Sequence, residues 1–151
     1  MASTATKEKP TISIVTKLKA TPEKVWRAWT DPQTLKLWMA PSDAFSVVLA
    51  ETDVRVGGRY RIIMKAPDGE EHDVSGIYRE VTPHRKLVYT WAWRSTPERE
   101  SLVTVELRAA GTGTELTLKH EQFFDAAARD RHSQGWDGCI GQLERMLRPQ
   151  A

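Results

Sequence analysis

The period of the apolar pattern changes twice along this chain, and the order of those changes limits the fold more than any single motif does. Residues 11–19 alternate Ile12, Ile14 and Leu18 against Ser13, Lys17 and Lys19, with Val15 out of step, which is the pattern of a half-buried strand. Thr21-Pro22 then supplies an N-cap and a proline at the first helical position, where a missing N–H costs nothing. Val25, Trp26 and Trp29 give that short helix an apolar stripe; Asp31-Pro32 opens a second, carrying Leu35 and Trp38 and stopping near Pro41. For roughly eighty residues the period is then two, predicting strands over 45–51, 59–65, 72–81, 87–93, 102–108 and 115–120. Pro67-Asp68-Gly69, Pro83-His84 and the glycines at 111 and 113 punctuate them as turns, and Gly57-Gly58 marks a turn or a close backbone approach. Over 125–147 the pattern becomes helical: Trp136, Cys139, Ile140, Leu143, Met146 and Leu147 share one arc, and His132 lies on it a turn before Trp136. Gly135, Gly138 and Gly141 each weaken that helix by about 1 kcal/mol against Ala, so they point to close packing or a bend.

Strand, two short helices, six strands and one long helix imply an α+β domain with an antiparallel sheet of six or seven strands and helices on one face. A helix of this length spans about 34 Å and crosses a whole sheet. A twisted sheet of that width curls around it, and the space the helix leaves unfilled is a cavity of the kind ligands occupy. Residues 1–10 lack any apolar period and read as a disordered tail, leaving 11–151 as a single domain without repeats or linkers.

Several classes fall away at this point. A net charge of +2 carries no basic stripe for nucleic acid. No apolar run approaches the ~20 residues of a membrane span, and the polar N-terminus is unlike a secretory signal, so the expected location is cytoplasmic. The lone Cys139 forms no internal disulfide. His72, His84, His120 and His132 show no metal-ligand spacing, and no dinucleotide fingerprint, phosphate loop or nucleophile elbow occurs, so no metal and no cofactor is expected. The serines, Ser101 among them, have no triad context in sequence.

Six tryptophans in so short a chain require either a Trp-rich core or an indole-lined cavity. Tyr89, Trp91 and Trp93 form a row on one face of their strand. Facing inward, they wall a pocket with Tyr60, Met64 and Tyr78; facing outward, Trp91 and Trp93 form a patch for a homodimer or another partner. The weaker alternative core face of Val88, Thr90 and Ala92 favours the inward reading. His120 and His132 fall on inward faces. Each is either a satisfied core histidine or a polar anchor for a ligand, with general-base catalysis a third reading. His72 and Tyr78 are further candidates for setting a ligand's orientation.

The run Pro22-Glu23-Lys24-Val25-Trp26-Arg27-Ala28-Trp29-Thr30-Asp31-Pro32 with Leu35, Trp38 and Pro41 resembles the opening of the START-like (SRPBCC) superfamily. More narrowly, it resembles the branch related to the C-terminal domain of the activator of the Hsp90 ATPase. Val56-Gly57-Gly58-Arg59-Tyr60-Arg61, Pro67-Asp68-Gly69, Gly76 with Tyr78, Glu80, Pro83 and Leu87, and Arg129-Asp130 with His132, Gly135 and Trp136 extend the resemblance over about residues 12–148. It implies the helix-grip fold, an incomplete barrel closed around a C-terminal helix, with the segment of Trp38 closing one mouth of the cavity. Met39 departs from relatives that often carry a second aromatic there, which implies a more pliable mouth. The superfamily includes lipid and sterol carriers, hormone receptors, cyclases and aromatases, and antibiotic-sequestering proteins, and fold alone does not choose among them. The co-chaperone engages its chaperone through an additional N-terminal domain for which this sequence leaves no room, so a chaperone partner is not the expectation.

The leading expectation is a non-enzymatic binder of a small hydrophobic ligand, aromatic or polycyclic. Its site residues would be Trp38, Tyr60, Met64, His72, Tyr78, Tyr89, Trp91, Trp93, His120, His132 and Trp136. Two alternatives stay open: a cyclase or hydrolase using a cavity histidine with a tyrosine, and a chaperone-linked interaction module acting through its surface.

Overall fold

The computed structural model describes residues 10–148. The predicted tail, apart from Pro10, lies outside the described residues. Along the chain run β1 (Ile12–Leu18), α1 (Pro22–Thr30), α2 (Pro32–Trp38), β2 (Ser46–Thr52), β3 (Arg59–Lys65), β4 (Glu71–Thr82), β5 (Lys86–Trp93), β6 (Ser101–Ala110), β7 (Gly113–Glu121) and α3 (Ala126–Leu147). α1 and α2 begin at the prolines the sequence marks, although the Asp31 side chain makes no capping bond to α2. Thr21 Oγ1 accepts the Lys24 N–H at 3.4 Å with Pro22 in the first turn, and Asp125 Oδ1 accepts the Ala128 N–H at 2.8 Å.

The seven strands form one antiparallel sheet in the order β1-β7-β6-β5-β4-β3-β2. β2 to β7 form a meander, and β1 closes the far edge beside β7, with Ile12 opposite His120 and Ile14 opposite Leu118. The sheet curls into a half-barrel around α3, which is the helix-grip fold.

One source of the bend is visible at Gly76. A Cβ there would lie 1.9 Å from the Thr90 carbonyl oxygen, so only glycine lets β4 and β5 come this close. The Tyr60 hydroxyl donates to that carbonyl at 2.6 Å, and the Ile77 N–H donates to Thr90 Oγ1 at 2.8 Å, so side chains take over from the ladder where it gives way.

α3 is fixed to the rest of the molecule at several points. The Thr16 hydroxyl of β1 donates to Glu144 at 2.9 Å, and Gln142 Nε2 donates to the Ala40 carbonyl at 2.6 Å. One turn before Gln142, Gly138 presses against the backbone of Pro41.

The interior is unevenly filled. Beneath α1 and α2, Trp29, Leu35, Met39, Tyr60, Ile62, Tyr78, Leu87 and Tyr89 are all buried around a void of only about 10 Å³, at most the space of one water, with buried Trp38 packed on Trp29. Toward the first half of α3 the packing opens.

Candidate functional site: two clefts at an indole–imidazole junction

Alternation along β5 sends Tyr89, Trp91 and Trp93 to the same face, but they meet different partners. The Tyr89 hydroxyl accepts the Trp29 indole N–H at 3.1 Å and belongs to the filled end. Two residues on, Trp91 lies against α3, with its ring 5.5 Å from Trp136 and 6.4 Å from His132. Trp93 reaches α3 directly: its Nε1 donates to His132 Nε2 at 2.8 Å.

Two clefts, each of about 660 Å³, meet at this junction. The apolar one lies between β3, β5 and α3, lined by Phe45, Met64, Trp91, Trp93, Trp136 and Cys139 among others. The polar one lies toward the loop after β5, where Arg94, Arg99, Arg131, Glu70, Glu71 and Asp73 supply charge around Phe123 and Phe124. His72, Trp91, Trp93, Arg131 and His132 line both and form the partition. The single hollow expected from sequence is thus divided, because the Trp93–His132 hydrogen bond ties sheet to helix across it.

Behind the partition the polar groups are closed on themselves. An indole N–H only donates, so the Trp136 Nε1 contact at 2.9 Å requires His120 Nδ1 to be the unprotonated acceptor. The proton of neutral His120 is therefore on Nε2, which donates to Ser101 Oγ at 2.7 Å; Ser101 in turn donates to the Trp91 carbonyl at 3.2 Å. By the same reasoning His132 accepts at Nε2 from Trp93 and donates from Nδ1 to the Ala128 carbonyl at 2.7 Å. The two histidines hold opposite tautomers, each set by an indole.

Burial holds His120 well below the ordinary imidazole range, and neighbouring His132 adds to the effect. His132 is lowered by burial too, opposed by its bond to Ala128 and assisted by the Arg131 charge. Cys139 is buried, and desolvation pushes its thiol up to about 12, so it is an inert wall group rather than a nucleophile.

The residues singled out from sequence therefore separate. Met64, His72, Trp91, Trp93, His132 and Trp136 come together around the apolar cleft, with fully buried His120 directly behind. Trp38, Tyr60, Tyr78 and Tyr89 sit together in the filled end: Trp38 donates its N–H to the Ala28 carbonyl at 2.8 Å, and burial raises all three phenols far above their usual range. Phe45, Arg131 and Ser101 went unrecognised as contributors. For Ser101 a signal was present, since it shares the parity of Val103, Val105 and Leu107 on β6 and pairs with Trp91. No group of three or more His, Cys, Asp or Glu side chains suited to a metal occurs among the described residues. Among them, too, no helix is long and apolar enough to cross a membrane.

A curled sheet gripping a long helix, with an indole-lined cleft between them, defines a START-like domain. The chain belongs to the family of activator of Hsp90 ATPase homolog 1-like proteins, whose family model matches residues 19–148. Among solved structures it is similar to protein CV1439 from Chromobacterium violaceum, at 30% identity with a TM-score of 0.84, covering 93% of this chain and 98% of that one. It is also similar to protein NE0264 from Nitrosomonas europaea, at 28% identity and a TM-score of 0.78 over 91% and 93% of the two chains. CalU16 from Micromonospora echinospora matches at 26% identity and 0.70, over 92% of this chain and 76% of that one. Among curated proteins, none matches the chain.

Proposed function

We propose that this domain binds a small, largely apolar aromatic ligand without transforming it, in the cleft between the curled sheet and α3. The observation that carries the reading is that cleft itself: about 660 Å³ walled by Phe45, Met64, Trp91, Trp93, Trp136 and Cys139, where the end of the core beneath α1 and α2 is filled. A volume of this order suits a ligand of a few fused rings. Burial of its apolar surface supplies about 25 cal/mol per Å², and stacking on indoles adds to that. Family membership supports a binding role, because START-like folds commonly hold hydrophobic ligands.

The cyclase or hydrolase alternative pairs a cavity histidine with a tyrosine, but Tyr60, Tyr78 and Tyr89 line the filled end and neither cleft. Ser101 and His120 resemble a nucleophile and its base at 2.7 Å, yet the proton runs from His120 to Ser101, opposite to the direction a base requires. The interaction-module alternative relied on an exposed patch of Trp91 and Trp93; Trp91 is 4% exposed, and half-buried Trp93 turns to α3 through its bond to His132.

Gly135 provides the test. It lines the apolar cleft, and a Cβ there would meet nothing within 4 Å. In Gly135→Leu the added side chain grows into open space while the helix gains propensity. Nile red titrated into the wild type is expected to brighten and saturate, and the same titration of Gly135→Leu to show affinity at least tenfold lower with an unchanged or higher melting temperature. Equal brightening in both proteins would move binding away from this cleft.

A further inference from the structure

Trp29, Trp38, Trp93 and Trp136 each donate their indole N–H, to Tyr89 Oη, the Ala28 carbonyl, His132 Nε2 and His120 Nδ1 respectively. Trp91 does not. Its Nε1 is the one buried side-chain nitrogen or oxygen without a partner among the described residues. Such a group calls for a specific explanation, because an N–H removed from water and left unpaired is destabilising.

None of the nearby acceptors bonds to it. Both nitrogens of His120 and both of His132 are occupied, and the Trp91 carbonyl already accepts from Ser101. The other rings around Trp91 are Trp93, at 5.5 Å and perpendicular, and Trp136, neither of which carries an oxygen. Trp91 nevertheless lines both clefts, and the Trp93–His132 hydrogen bond runs across the partition they share. The missing acceptor therefore has to be brought in, and the partition side chain packed edge-on against the Trp91 indole, itself tied to α3 through His132, is Trp93.

Resting on the binding role above, we propose that the ligand is a flat aromatic molecule bearing an acceptor oxygen. Its arrival parts the Trp93–His132 hydrogen bond and seats that oxygen on Trp91 Nε1. A ketone and a carboxylate share this chemistry. Arg131, exposed on the rim of both clefts, would favour the carboxylate.

The test uses three probes of one shape: acetylnaphthalene, its oxygen-free isostere isopropenylnaphthalene, and naphthoate, each titrated calorimetrically. Between wild type and Trp91→Phe, the preference for the ketone over the hydrocarbon is expected to fall about tenfold, the scale of one hydrogen bond to an otherwise unpaired donor. In wild-type protein the Trp91 indole N–H resonance moves further downfield with the ketone than with the hydrocarbon, a readout that stands even if the variant folds poorly. If naphthoate binds tighter than the ketone and Arg131→Gln removes the difference, the oxygen is a carboxylate; if the two bind alike, it is a neutral carbonyl. Trp93→Phe, which gives His132 no N–H to accept, is expected to take up the ketone severalfold faster, and an unchanged rate would overturn the gating. Ketone and hydrocarbon binding with the same preference in both proteins, and with equal shifts at Trp91, would overturn the acceptor while leaving the binding role intact. Failure of all three probes to bind would overturn both.

Discussion

Gly138→Ala is expected to destabilise the protein by about 3 kcal/mol or more, while Gly135→Ala, one turn earlier on the same helix, stabilises it by up to about 1 kcal/mol. The opposite signs come from what each new methyl meets. At Gly138 it would lie 1.7 Å from the Pro41 carbonyl oxygen and 3.2 Å from the Pro41 Cα, both backbone atoms that no rotamer change can move aside. α3 would have to lift from the segment after α2, straining the 2.6 Å bond between Gln142 and the Ala40 carbonyl. At Gly135 there is open space, and only the helix-propensity gain remains. For a chain of this size ~3 kcal/mol corresponds to a fall of roughly 6–12 °C in melting temperature. Calorimetric scans of both variants check the pair; equal melting temperatures would contradict the contact between α3 and Pro41.

His120→Leu carries the second large effect, with an expected loss of about 2–4 kcal/mol. It strands the buried Trp136 N–H and removes the bond to Ser101. Removing both partners is gentler than removing one, so His120→Leu combined with Trp136→Phe is expected to lose less than the two single losses added together.

The same residue predicts a pH dependence. Its folded-state pKa lies below the unfolded one, so at mildly acidic pH the unfolded chain binds more protons than the folded chain, and stability rises with pH. The contribution is complete above about pH 6.5, the ordinary imidazole value, and is lost as pH falls below it, at a slope approaching 1.4 kcal/mol per pH unit. His132 is shifted the same way and steepens the fall. Urea unfolding across this range is expected to show that slope in the wild type and a flatter one in His120→Leu. Identical slopes would mean that His120 is not held neutral.

Much of this arrangement was legible in the residue order. Period two on β5 and β7 groups Trp91 with Trp93 on one side and His120 with Leu116 and Leu118, because a strand's two sides are fixed by parity alone. Parity, however, gives a face and not a position under a particular helix. Tyr89 and Trp91 share a face two residues apart, yet one packs beneath α1 and the other beneath α3. This is why the tyrosines and Trp38 were expected beside the indoles, and why the division of the hollow was not foreseen. The Trp93–His132 bond depends on how far along the sheet α3 crosses, which no local pattern encodes. The three helix glycines were likewise equivalent in sequence; only Gly138 meets another backbone.

The most direct measurement of where a ligand sits uses the indoles themselves. In proton–nitrogen correlation spectra, naphthalene is expected to move the N–H resonances of Trp91, Trp93 and Trp136, which line the apolar cleft, and to leave those of Trp29 and Trp38, in the filled end, where they are. Shifts confined to Trp29 and Trp38, or no shift at any of the five, would contradict binding between the sheet and α3.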